Sequence, residues 1–442
     1  MSSQKKNWAA IIIMFCLFAM IAFVTNLCSP MAVIVKNQFG ASNFASQIGN
    51  AANFIAYLVM GIPSGMLLKK YGYKVTSLIA VTTGFVGVFI QYMSGWESIG
   101  SFWVYVFGAF ISGFCMCMLN TVVNPMLNTL GGGGKTGNQL IQFGGVCNSL
   151  AAVAVTIIMG SLIGEAAKAK ISDATPALFI ALGIFAAAFL VLLFSRIPEP
   201  ELEAAKAHAA MKAKENMPQE KDKYSAFSFR HFNLGVLCIF LYIGLEVGIP
   251  TYVMQFLTTA KDAATPGIGI DATIAGTIVA VYWFLMFVGR FFGGVLGKQF
   301  SSRQQVSFMA IVALVFIFLG IFLPESTQVN MPGVDWSHMK IITAQVPVGI
   351  MFLILVGLCT SIMWGGIFNM AVEGLGKYTS IASGAFMTMV CGGGILVPLQ
   401  GWVADITHSF MASYIVVIIC TAYILFYALI GSKNVNKDIP TD

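Results

Sequence analysis

The sequence predicts an all-α integral membrane protein with twelve transmembrane helices in two pseudo-symmetric six-helix bundles. Three observations carry the prediction. Of the 442 residues, 58% are hydrophobic and 10% charged, with 36 Phe and 24 Met, a composition unlike that of a water-soluble domain. Apolar stretches of about 20 residues, the length that crosses a bilayer core, recur along the whole chain. A single polar insert, residues 197–230, divides the chain near its midpoint.

The amino-terminal bundle is expected over 1–196. Lys5-Lys6 before an apolar run resembles a secretory signal, but the run continues from Trp8 to Leu27 without a small-residue cleavage pattern, so it is read as the first span. Spans 1 to 6 are expected at 8–36, 43–68, 76–94, 102–130, 138–163 and 176–195. The insert carries Glu201, Glu203, Lys206, Lys212, Lys214, Glu215 and Lys221, which cannot lie in hydrocarbon. Pro198 and Pro200 suit the start and Pro218 the end of a short helix over Ala204–Ala213, in a water-exposed connector. The carboxy-terminal bundle, 231–442, is expected to hold spans 7 to 12 at 231–258, 272–297, 304–323, 342–373, 380–404 and 410–431.

The net charge of +6 is scattered through loops rather than gathered into a nucleic-acid patch. Lys69, Lys70, Lys74, Lys135, the connector, Lys298, Arg303, Lys377, Lys433 and Lys437 fall on one side of such a topology. Few basic residues fall on the other, which places both termini and the connector in the cytoplasm. The nine cysteines lie inside apolar segments without metal-ligand spacing and are read as packing residues.

Internal repetition supports two bundles. Gly61, Gly65, Leu68 and Lys70 recur at an offset of 228 as Gly289, Gly293, Leu296 and Lys298, after spans 2 and 8. Asn124, Leu130 and Gly131 at the end of span 4 recur as Asn369, Leu375 and Gly376 at the end of span 10. In span 1, Asn26 stands four residues before Pro30, and in span 7, Glu246 stands four residues before Pro250. Proline has no N–H, so each removes the helical partner of the earlier carbonyl. Both helices are therefore predicted to break beside a shared central cavity.

Glu246 is the carboxylate placed well inside a span, where an ionised acid costs at least about 2.5–3.5 kcal/mol, which makes it a functional candidate. Tyr242, one turn earlier, is positioned to hydrogen-bond it. Arg290, at the inner end of span 8, is read as a loop or gate residue near the membrane edge. Asn120, Asn148 and Asn369, with Trp283 and Trp364, offer amides for hydroxyls and rings for apolar sugar faces, although each singly also suits a helix contact. Gly131 to Thr136 is not a phosphate loop, because Thr129 stands where that pattern needs glycine and no strand precedes it.

Asn53-Phe-Ile-Ala-Tyr57-Leu-Val-Met-Gly61-Ile-Pro63-Ser-Gly65, leading into Lys69-Lys70-Tyr-Gly72-Tyr-Lys74, closely resembles the second span and following loop of the fucose/glucose-galactose:cation symporters, a branch of the major facilitator superfamily. Tyr242-Ile-Gly244-Leu-Glu246-Val, Gly289-Arg290-Phe-Phe-Gly293 and the run from Pro398 to Asp405 resemble the same branch. Where its fucose-permease members have Asn-Leu-Asn-Asp in span 1, this chain reads Asn26-Leu27-Cys28-Ser29; where they have an acid in span 4, it has Asn120. Their Gln-x-x-Asn-Ser in span 5 is Gly145-Val-Cys-Asn148-Ser149 here.

The resemblance implies a major facilitator fold and import of a neutral sugar by alternating access, with H⁺ or Na⁺ as the coupling ion and no other cofactor. It implies a monomer in a bacterial-type inner membrane, with a sugar and the bilayer as its partners, no nucleic acid and no enzymatic activity. Substrate is expected at Asn26, Asn120, Asn148, Glu246, Trp283, Trp364 and Asn369, with coupling at Glu246. Gly61, Gly65, Lys69, Lys70, Gly289, Arg290 and Gly293 are expected to form the gating loops. The alternatives are an organic-solute or drug carrier of the same fold and a sugar sensor that does not transport.

Overall fold

The computed structural model describes residues 7–39, 48–163, 171–172, 174–199, 202–203, 224–270, 272–297, 299–335, 340–436 and 438–441. The expected connector helix at Ala204–Ala213 lies outside them, as do the side chains of residues 26–30.

The first bundle comprises α1 (Trp8–Phe39), α2 (Ile48–Met93), α3 (Phe102–Leu130), α4 (Gly134–Ile163) and α5 (Thr175–Phe194). The long α2 is two spans joined at Gly72, whose φ of 80° and ψ of −176° turn the chain between them. That turn is held by an exchange of caps with the end of α5. Glu199 accepts from the main-chain N–H groups of Tyr73 and Lys74, both at 2.7 Å, at the start of the second rod. Lys74 in return donates through Nζ to the carbonyls of Leu193 and Ser195, each at 2.8 Å. A carboxylate thus sits at a helix N-terminus and an ammonium at a helix C-terminus, the signs that the two dipoles favour.

The second bundle comprises α6 (Arg230–Thr258), α7 (Ala272–Leu296), α8 (Ser302–Phe322), α9 (Val348–Thr360), α10 (Met363–Val372), α11 (Thr379–Thr388), α12 (Gly392–Thr407), α13 (Phe410–Ser413) and α14 (Ile415–Phe426). Three spans are broken rods: α9 with α10, α11 with α12, and α13 with α14. Between α8 and α9 lies an antiparallel hairpin, β1 (Gln328–Asp335) with β2 (Lys340–Pro347), pairing Gln328 with Pro347 and Asp335 with Lys340. The tenth span therefore starts at Val348 rather than at residue 342, because the apolar run of β2 abuts the helix without a charge between them.

Large apolar side chains such as Phe194, Phe308 and Phe322 project outward, as a surface facing hydrocarbon requires. The breaks expected at two prolines do not occur. The helical backbone of α1 passes through residue 30, and α6 runs unbroken past Pro250.

The bundles meet along two seams, α2 with α11 and α4 with α7. At the first, a Cβ on Gly384 would collide with the main chain of Gly61 and Gly65, so these glycines permit a crossing that larger residues would hold apart. At the second, Gly294 of α7 and Gly297 just past its end admit Phe143 and Gln139 of α4. Both seams lie toward the end that carries Lys69, Lys70, Lys135 and Arg303, called the basic end below; the β1–β2 hairpin marks the other.

Candidate functional site

Pro250 deprives the Glu246 carbonyl of its helical donor. The replacement comes from α7, where the Tyr282 hydroxyl donates to the Glu246 main-chain oxygen at 3.2 Å. This bond explains why α6 does not unwind into a cavity there. The same hydroxyl lies 3.1 Å from Thr360 Oγ1, at the end of α9. The Glu246 carboxylate is held by Tyr242 one turn earlier, whose hydroxyl donates to Oε1 at 2.8 Å and lies 3.1 Å from the Thr360 carbonyl. Both tyrosines are fully buried.

Arg290 completes the cluster. Its Nη2 stands 3.5 Å from Glu246 Oε1, and the two side chains are 13% and 14% exposed. Its Nη1 crosses to α4 and donates to Ser149 Oγ at 2.8 Å, Asn148 Oδ1 at 3.3 Å and the Gly145 carbonyl at 3.4 Å. Its Nε donates to the Ser361 carbonyl at 3.3 Å. The reading of Arg290 as an edge residue is corrected accordingly. Side chains on a helix lean toward its N-terminus, and α7 runs toward the basic end, so the arginine reaches back toward mid-membrane. Asn148 is aimed by its other amide atom, with Nδ2 donating to the Phe18 carbonyl of α1 at 3.0 Å.

Around this core, Trp364 packs against Tyr242, with ring centroids 6.3 Å apart, and donates through Nε1 to Asn124 Oδ1 at 3.3 Å, another link between bundles. Asn124 in turn donates to the Asn120 carbonyl at 2.9 Å, and Asn120 donates to the Tyr57 hydroxyl at 2.9 Å. Trp283 is exposed, edge-on to Tyr282, on the face of α7 that two turns later carries Arg290.

Asn369 does not join the cluster. It donates to Ser302 Oγ at 2.8 Å and the Gly134 carbonyl at 3.2 Å, in the wall of a cavity of about 240 Å³ at the basic end, also lined by Lys135, Arg303 and Glu373. There it links the two bundles through the Gly134 carbonyl. The side chain of Asn26 lies outside those described. Lys69 and Lys70 are exposed, and Gly289 lets α7 approach Ser361.

Sequence reasoning missed Thr360 and Ser361, which together touch Tyr242, Tyr282 and Arg290. Their signal was present as two adjacent hydroxyls inside an otherwise apolar span. Chemically, the cluster offers one carboxylate, one guanidinium and no net charge, beside hydroxyls, amides and an indole: groups that can bind a neutral polyol and a cation.

A family model described as Major Facilitator Superfamily matches residues 13–398. A glucose/galactose transporter of Brucella abortus is 28% identical over 98% of this chain and 96% of its own length. An L-fucose-proton symporter of Escherichia coli is 21% identical over 99% of this chain and 96% of its own. Among solved structures, a Major Facilitator Superfamily transporter, FucP, in the outward conformation superposes with a TM-score of 0.76 at 20% identity, covering 96% of this chain and 99% of that one.

Proposed function

The chain belongs to the Major Facilitator Superfamily, and from that premise we propose that it imports a neutral sugar, a hexose, deoxyhexose or derivative, by alternating access, with H⁺ or Na⁺ coupled through Glu246. The relatives named for glucose/galactose and for L-fucose with a proton match nearly the whole chain and support the substrate class. The observation that carries the reading is the buried Glu246–Arg290 pair. Arg290 places a cation beside the acid, and its pairing with Glu246 keeps the site neutral overall, which disfavours a buried anion and a buried amine alike.

In this reading the basic end is cytoplasmic, the multi-pass chain lies in a bacterial cytoplasmic membrane, and it works as a monomer. The moving bodies are 1–196 and 231–442, joined by the connector 197–230. Closure of both seams at the basic end supports an outward-facing arrangement. Sugar is held by Asn26, Asn120, Asn148, Trp283 and Trp364 around Glu246. The serine at position 29 and the asparagine at 120, where related symporters carry acids, leave coupling to Glu246.

The test uses sealed vesicles containing the protein, a panel of labelled sugars, and pH and Na⁺ gradients imposed separately. Glu246→Gln mimics the protonated acid, so it is expected to keep sugar counterflow and to lose gradient-driven accumulation. Accumulation by Glu246→Gln with wild-type ion dependence would place coupling elsewhere. Competition by amines but not by sugars would favour the organic-solute carrier.

A further inference from the structure

Arg290 makes its shortest contact with the opposite bundle and not with its acid. The bond to Ser149 Oγ is 2.8 Å, whereas Nη2 stands 3.5 Å from Glu246 Oε1. A guanidinium in full charge-assisted contact with a carboxylate lies at about 2.7–2.9 Å. The guanidinium is therefore shared between a carboxylate of its own bundle and three acceptors of α4, namely Ser149, Asn148 and the Gly145 carbonyl. Among the described residues, the other titratable groups in contact around Glu246 are Tyr242 from α6 and Tyr282 from α7, with Cys359 of α9 beside Tyr282; the α4 groups that Arg290 bonds are three uncharged acceptors.

We propose that Arg290 is the positioning residue for cation coupling: it competes with the transported cation for the Glu246 carboxylate, and α4 decides the competition. The proposal rests on Glu246 being the coupling acid. With the basic end closed, α4 satisfies the guanidinium and leaves the carboxylate able to take a cation. When the basic end opens, α4 and α7 part, and Arg290 loses the three acceptors together. Its remaining partners are then the Ser361 carbonyl and Glu246. The guanidinium closes onto the carboxylate and displaces the cation toward the side that has just opened. Uptake with the basic end closed and release with it open is the order that import requires.

The experiment measures, in vesicles, the external cation concentration that half-saturates driven uptake. Ser149→Ala removes the shortest α4 acceptor and frees Arg290 for the acid, so half-saturation should rise by about tenfold, as loss of one hydrogen bond to a charged group would give. Arg290→Gln removes the competitor, so half-saturation should fall, while the maximal rate of driven uptake drops and counterflow remains because the cation is no longer displaced. Opposite shifts from the two variants are not what a purely structural role would produce. Should Arg290→Gln fail to assemble, Arg290→Lys keeps the charge without the planar fork, and half-saturation should rise as in Ser149→Ala; a fall would overturn the proposal. Shifts of Ser149→Ala and Arg290→Gln in the same direction, or none in either, would overturn it too, and the Glu246 reading would stand if Glu246→Gln still abolished accumulation. Ion-driven accumulation by Glu246→Gln would remove both readings.

Discussion

Pro250 takes one main-chain hydrogen bond out of α6, and Tyr282 puts a side-chain bond in its place. A buried carbonyl left without a donor costs about 1–3 kcal/mol. Tyr282→Phe is therefore expected to destabilise the protein by about 1–2 kcal/mol, and Pro250→Ala to make that loss smaller, because alanine restores the N–H that the Glu246 carbonyl lacks. A double-mutant cycle of thermal unfolding in detergent tests this coupling; equal costs of Tyr282→Phe in both backgrounds would mean the two residues act independently. At this scale the sequence was partly legible. The spacing of Tyr242 and Glu246 on one helix announced their hydrogen bond, because residues four apart share a face. The place of Arg290 was not legible, since hydropathy locates a Cα along the membrane normal and says nothing of where a long side chain ends.

At the scale of elements, two features of the closed basic end oppose each other. The Gly61–Gly384–Gly65 crossing lets the main chains of α2 and α11 touch. Against it, Asn138 of α4 is fully buried with neither amide atom partnered. It recurs at helical spacing with Gln142 and Ser149, which bond the second bundle at the Ile362 carbonyl and Arg290. Opening the basic end would hydrate that amide, so its burial works against closure by about 1–3 kcal/mol. Spin labels at Lys70 and Gln299, one in each bundle and both exposed, report the separation. Gly384→Leu should move the distance distribution to longer values, and Asn138→Leu should sharpen it at the short one. A shift of both variants in the same direction would refute the opposition. The glycine repeat was visible in the sequence as a period, yet its partner on α11 was not, because a periodicity identifies a face without identifying what covers it. The β1–β2 hairpin was missed because the apolar length rule does not separate a strand from the helix it runs into.

At the scale of the whole molecule, the neutral balance of Glu246 and Arg290 predicts selectivity by charge. Neutral hexoses should compete for uptake, while sialic acids and sugar phosphates should compete at least about a hundredfold more weakly, a gap of about 2.7 kcal/mol. Competition assays in vesicles decide it, and high-affinity uptake of an anionic sugar would count against a neutral site. The two-bundle plan was legible because composition, polar insert and repeats all act at this scale, and bilayer thickness leaves few alternatives. One feature of the plan also bears on how the molecule is made. Glu199 is synthesised 126 residues after Tyr73, whose amide it accepts. Until the ribosome has passed it, the opening turn of the third span lacks the acceptor that the finished protein provides, and the C-terminus of α5 that Lys74 caps does not yet exist. The turn at Gly72 is thus completed last, and Glu199, just past α5, serves the nascent chain as the closing clasp of the helices it follows.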